Sequence, residues 1–121
     1  GGSVPIAAVD WQTVAVNSPL LDVAYFITTS LDDECCRRDE HELLDFYLDE
    51  MSRLGAPIDR IDAQREFARY TLQPVVMLVS AAVIVERTER GDRMFLEMIR
   101  RACVACTRWG AFSELDRHAA A

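Results

Sequence analysis

V-P-I-A-A-V-D-W-Q at residues 4–12 and N-S-P-L-L-D-V-A-Y-F at residues 17–26 carry most of what the sequence says about the fold. The first stretch is apolar and partly β-branched, with a proline near its beginning, and it predicts one β-strand over residues 4–9. That strand ends at a lone carboxylate, Asp10. The second stretch predicts the start of a helix, because Ser18 can cap it and Pro19 suits its first position.

A strand that ends in a single Asp is a common way to hold a divalent metal beside a phosphate. Asp10 is therefore a candidate magnesium ligand. The spacing alone also allows a structural role, in which Asp10 lies at a strand–turn junction and accepts backbone hydrogen bonds.

Beyond residue 17 every periodic stretch is helical, so the sequence predicts a mostly α fold of one strand followed by four to six helices in a single domain, 1–121. The helix over 19–30 is apolar nearly all round and is expected to be buried, and residues 75–85 are expected to form the most buried helix. Capping and breaking residues predict the boundaries: starts at Asp32 or Asp33, Asp59 and Asp92, and stops or breaks at Gly55, Pro74 and Gly110.

The composition narrows the possible functions. The net charge of −7 argues against nucleic acid or an anionic membrane as a partner. All 13 basic residues are Arg, so no chemistry in this chain depends on a lysine. The apolar run over 75–85 is too short to cross a bilayer core of roughly 30 Å. We expect a soluble, cytoplasmic protein whose four cysteines are thiols.

Taken together, V-D-W-Q and N-S-P-L-L-D-V-A-Y-F resemble the segment after the catalytic loop in the aminoglycoside phosphotransferase and choline-kinase-like family. The resemblance implies a protein-kinase-like fold and phosphorylation of a small-molecule acceptor. Asp10 then matches the family's magnesium-binding Asp, and Asp22 matches a second Asp that supports the catalytic loop through backbone hydrogen bonds. Asn17 departs from the small residue that many members have there. The stretch over 85–95 also resembles bacterial members, without an assignable role.

The same family places an H-G-D-x-x-x-x-N loop and a nucleotide-clamping Lys before the metal Asp, and neither occurs in this sequence. His41 and His118 both lie after Asp10, and neither is followed by Gly-Asp. The resemblance therefore implies the C-terminal helical subdomain of such an enzyme. We expect no catalytic residue within this chain, Mg²⁺ and ATP as cofactors of the intact enzyme only, and no activity of this chain alone.

Two other functions stay open at this point. A non-catalytic helical module could associate with itself, and we expect a homodimer through the open strand edge at 4–9 and an exposed apolar face. A metal-binding domain would need Cys35 and Cys36 to meet Cys103 and Cys106 in space. The alternative for Cys103 and Cys106 is core packing, because both continue the apolar stripe of the last helix.

Overall fold

A computed structural model of the protein describes residues 14–120. They form six α-helices: α1 Leu20–Ser30, α2 Asp33–Arg53, α3 Arg60–Tyr70, α4 Leu72–Ile84, α5 Glu89–Arg108 and α6 Ala111–Ala119. No strand occurs within residues 14–120, so the described part of the chain is mostly α, as predicted. The predicted strand over residues 4–9, and Asp10 with it, lies outside the described residues.

Helix α1 is the centre of the packing, with α2, α3, α4 and α5 against it. Its core side chains recur at spacings of four and three and are fully buried: Leu20, Ala24 and Ile27. They form one core with the facing side chains of α2 and α3, which include Leu44, Leu48, Ala63 and Phe67. At the other end of α1, Arg101 of α5 donates to the carbonyl oxygens of Thr29 and Ser30 at 3.3 Å, where the helix leaves its last carbonyls unpaired.

The predicted burial of this helix is correct on one side only. Phe26 is exposed, at the edge of a groove between α1 and α2. An apolar composition shows that a helix needs covering, but it does not tell how many neighbours the chain supplies.

Four of the predicted helix boundaries are confirmed. Asp32 caps α2, and its Oδ1 accepts from two backbone N–H groups of the first turn at 3.0 and 2.9 Å. Asp59 caps α3 in the same manner. Gly55 follows the end of α2 with a φ of 84°, and Gly110 follows the end of α5 with a φ of 62°. Both glycines have the left-handed conformation that commonly ends a helix.

The predicted effect of Pro74 is wrong in position. The chain breaks at Thr71, between α3 and α4, and Pro74 lies in the first turn of α4. The N–H groups of a first turn have no partner within the helix, so the missing N–H of Pro74 removes no hydrogen bond there.

The predicted cap of the last long helix is also wrong. Thr88, not Asp92, caps α5, and its Oγ1 accepts from the N–H of Gly91 at 3.0 Å. Asp92 lies in the first turn, where it pairs with Arg87 at 2.8 Å and its charge suits the helix dipole. Gly91 therefore lies inside α5, in its first turn.

Helix α4 is not the most buried helix. Only Pro74 and Leu78 are fully buried, whereas most of its large apolar side chains are exposed, with Val83 at 84% and Ile84 at 83%. The helix packs against α5, α1 and α3 with one side, and nothing in residues 14–120 covers the other.

Within residues 14–120, one helical stretch has the length and composition of a membrane span: the 25 residues Arg60–Ile84, which include α3 and α4. Core helices of water-soluble proteins pass the same test, so the indication is weak.

We predict that Gly55→Ala destabilises the fold by about 1–2 kcal/mol, because a Cβ is unfavourable in the left-handed region. The space around the site is open: beyond the chain neighbours, no heavy atom lies within 4 Å of the position that a Cβ would take, so backbone strain is the cause. Gly55→Asn is the matched control, because Asn tolerates this region better. Urea unfolding should give the highest free energy of unfolding for the wild type, a lower value for Gly55→Asn and the lowest for Gly55→Ala. Equal stability of the two variants would contradict the explanation.

Candidate functional site

The site that the sequence motifs predict lies at the N-terminal end of α1. Asp22 is in the first turn of that helix and is exposed. Within residues 14–120 no hydrogen bond reaches its carboxylate, so its predicted support of a catalytic loop stays a prediction. Asp10 lies outside the described residues, and its predicted role in binding magnesium is likewise untested.

Ser18 holds the segment just before α1 in place through two hydrogen bonds. Its Oγ donates to Oε2 of Glu66 on α3 at 2.7 Å, and it also accepts from the N–H of Leu20 at 3.4 Å. The sequence predicts the second contact, since Ser is a common cap. The first joins residues 48 positions apart and could not be read from local pattern. Together they fix the start of α1 against α3.

Asp22 lies at the edge of an apolar groove between α1 and α2. The groove has a volume of about 330 Å³, and its other lining residues are Val23, Phe26, Ile27, Leu43, Phe46 and Tyr47. Burial raises the pKa of Tyr47, and the negative charge of Asp22 adds to the shift. The groove could receive an apolar group beside a single carboxylate. Sequence patterning missed it because neither helix shows from its own residues how it crosses the other.

A cluster of polar side chains lies between α2 and α5. Arg108 donates from Nε to Oε1 of Glu40 and from Nη2 to Oε2, both at 2.6 Å. The Cys36 thiol lies 3.2 Å from Arg108 Nη2 and donates to Glu40 Oε2 at 3.4 Å. Glu40 is 1% exposed. We call these three residues the Glu40 cluster.

The sequence does carry a signal for the Glu40 cluster. Cys36, Glu40, Leu44 and Leu48 follow each other at intervals of four, so they lie on one face of α2. A carboxylate in the middle of an apolar stripe is expected to be buried and paired. The stripe does not reveal that its partner is Arg108, 68 residues later.

The electrostatics of the Glu40 cluster suit a structural role. Burial acts to raise the pKa of Glu40, but the hydrogen bonds and charge of Arg108, together with Trp109 and Cys36, outweigh it and hold that pKa below its ordinary value. Burial, together with the charge of Glu40, raises the pKa of Cys36 to about 11. At neutral pH the thiol is therefore protonated and a poor nucleophile.

The cysteines do not form the alternative metal centre in the described structure. All four are free, and no group of three or more His, Cys, Asp or Glu residues within residues 14–120 could hold a metal ion. Core packing is confirmed for Cys106, which is buried with its Sγ 3.0 Å from the Thr71 carbonyl oxygen. It is wrong for Cys103, which is exposed, because the core side of α5 continues through Ala102 and Ala105.

The two histidines and Trp109 have no catalytic arrangement. His41 is exposed, and its ring packs at 4.6 Å from that of Trp109. Trp109 also packs at 4.6 Å against Phe67 and is partly buried against the core. Its Nε1 is buried without a hydrogen bond, although it lies near enough to help lower the pKa of Glu40.

Comparison with protein families gives a match to part of the chain. Residues 3–57 match the model of the ecdysteroid kinase-like family, and the match spans both sequence motifs together with α1 and α2. Over these residues the chain is similar to a kinase-like family. No curated protein and no solved structure matches the chain.

We predict that Arg108→Met destabilises the fold by about 3 kcal/mol or more, because it leaves the Glu40 charge buried and unpaired. The double variant Glu40→Met with Arg108→Met should recover most of that loss, since it removes both charges. Arg100→Met, which breaks an exposed pair with Asp33, is the control and should cost much less. Denaturant unfolding measures all three, and equal losses for Arg100→Met and Arg108→Met would contradict the special role of the buried pair.

The pH dependence of the free energy of unfolding should also distinguish Arg108→Met from the wild type. In the wild type the pKa of Glu40 lies below its ordinary value of 4.5, so its stabilising contribution is present above that pH and is lost as the pH falls through the folded-state pKa. Without Arg108, burial alone should raise the pKa of Glu40. The stability deficit of Arg108→Met should therefore shrink as the pH falls from about 7 towards about 5. A deficit that is constant over this range would show that Glu40 is not the group left unpaired.

Proposed function

We propose that this chain is the C-terminal helical part of a small-molecule phosphotransferase, which transfers a phosphoryl group from ATP to a hydroxyl of its acceptor. The match of residues 3–57 to a kinase-like family carries the proposal, because it includes the motifs of both Asp10 and Asp22. Acceptors of the aminoglycoside and choline types follow from the motif resemblance. The description of the matched family adds an ecdysteroid, a hydroxylated steroid, to the acceptors worth testing.

In this proposal Asp10 holds Mg²⁺ in the intact enzyme. A carboxylate oxygen is a donor that Mg²⁺ prefers, and an Asp at a strand end can reach phosphate-bound metal without moving the strand. When bound, Mg²⁺ supplies positive charge to the phosphate oxygens of ATP. The other residues of this chain are proposed to position the reacting groups.

Asp22 is proposed to accept backbone hydrogen bonds from the catalytic loop. It stands in the first turn of α1, a helix that packs against four others. Ser18 and Glu66 hold the start of that helix in place. A loop hydrogen-bonded to Asp22 would therefore be held by a helix of fixed position. Phosphoryl transfer requires such fixed positions of the groups that orient the substrate.

Phosphoryl transfer depends on several charges arranged together. Residues 1–121 contain neither an H-G-D loop nor a lysine, so the proposed enzyme needs both from a part of the protein outside these residues. We place that enzyme in the cytoplasm, where ATP is abundant and thiols stay reduced.

We predict that the chain over residues 1–121 does not transfer phosphate from Mg-ATP to aminoglycosides, amino-alcohols or ecdysteroids. One metal-binding carboxylate lacks the base and the nucleotide clamp that the reaction needs. Radiolabelled ATP followed by product separation is the measurement. Phosphorylation above the no-protein background would overturn the expected inactivity.

The reading frame that encodes the chain provides the test of the proposal itself. We expect an H-G-D-x-x-x-x-N loop and a lysine-bearing lobe in frame before Gly1. In that longer protein Asp10→Asn should lower kcat by about 100-fold or more, because it removes a charge that acts on the transferring phosphate. Asp116→Asn, an exposed change on α6, is the matched control. Full activity of Asp10→Asn would contradict the metal-binding role.

A second function, a non-catalytic helical module that associates with itself, is favoured by the apolar side chains that α4 exposes.

A further inference from the structure

The outward side of α4 carries a regular apolar stripe. Val76, Val79, Ser80 and Val83 are separated by three, one and three residues, so they lie together on the helix face opposite the buried Leu78. Apolar residues at spacings of three and four are the pattern by which one helix packs against another. We call these four residues the α4 stripe.

The apolar surface continues beyond the stripe. Met77, Ile84 and Val85 flank it, and Leu96 extends it onto α5. A depression of about 250 Å³ lies between the two helices. With seven large apolar side chains that are 47–84% exposed, the surface offers on the order of 800 Å², which is the area that each partner contributes to a standard protein interface. It exceeds what a monomer usually leaves in water.

We propose that this surface packs against the same surface of a second copy of the chain, with the two α4 helices antiparallel about a two-fold axis. A two-fold axis that passes between Val79 and Ser80 brings the α4 stripe of each subunit against that of the other. Val76 of one subunit then meets Val83 of the other, and the small Ser80 lets the helices approach at the axis. In a two-fold interface each such contact occurs twice.

The charges around the surface favour a protein partner over a lipid surface. Residues 86–93 beside the surface carry three acidic and three basic side chains, so their charges sum to zero. The chain as a whole carries a net charge of −7. Helices that bind at a membrane surface combine an apolar face with unpaired cations that attract anionic lipids. This surface has the apolar face without that excess of positive charge.

The mass of the chain over residues 1–121 in solution tests the proposal. Light scattering behind size exclusion should give twice 13.7 kDa at micromolar concentration. Val83→Arg should raise the dimer dissociation constant by about tenfold or more, because it buries an unpaired charge in the interface. The side chain is 84% exposed in the monomer, so the fold should persist, and far-UV circular dichroism checks that it does.

Two matched control variants test the location of the interface. Phe46→Arg in the α1–α2 groove and Phe112→Arg on α6 change similarly exposed apolar side chains, 64% and 66%, and should leave the dimer unchanged. A wild type that stays monomeric to about 100 µM would overturn the proposal, since the surface area leads us to expect micromolar association. Loss of the dimer with Phe46→Arg but not with Val83→Arg would overturn it too.

Chemical crosslinking provides a second measurement. In a background in which Cys35 and Cys103 are changed to Ser, Ser80→Cys should form a covalent dimer with a short bismaleimide, and Ser113→Cys on α6 should not. Equal crosslinking at both positions would contradict the antiparallel arrangement. Flotation with neutral phosphatidylcholine vesicles tests the lipid alternative, and vesicle binding of a monomeric wild type that Val83→Arg abolishes would assign the surface to a membrane instead.

Discussion

The buried ion pair between Glu40 and Arg108 governs how the helices can be arranged. Two hydrogen bonds of 2.6 Å join side chains from α2 and α5, and Glu40 has almost no contact with water. A charge in such a place is tolerable only when it is paired, so α2 and α5 must lie where these two residues can meet. The exposed pair of Arg100 with Asp33 links the same two helices about two turns away along each helix.

The ion pair between Glu40 and Arg108 affects the proposed site because α5 also contacts α1, which carries Asp22. With α5 held to α2, Arg101 lies where it can satisfy the last carbonyl groups of α1, and the core residues of α1 are enclosed from both sides. Ser18 secures the first turn against α3. Asp22 thus stands on a helix fixed at both ends. A kinase-like enzyme needs such a support, because its catalysis is mostly a matter of holding charges in place.

The same packing explains why the predicted burial of α4 is wrong. Its composition is the most apolar in the described helices, and composition alone predicts the centre of a core. In the structure α1 takes the central place, with four helices against it, and α4 is left at the edge. Apolar residues at the edge of a domain need a partner from elsewhere, which is the physical basis of the proposed dimer.

Short stretches of sequence are enough to establish the helical class, the caps at Asp32 and Asp59, the stop at Gly55 and the kinase-like motifs around Asp10 and Asp22. Each of these depends on a few adjacent residues, whose local chemistry can be read directly from the chain. The packed structure was needed to show that Glu40 pairs with Arg108, that Ser18 binds Glu66, and that α1 rather than α4 is central. Those outcomes depend on contacts between distant segments, and their free energy comes from burial that exists only after the helices have packed.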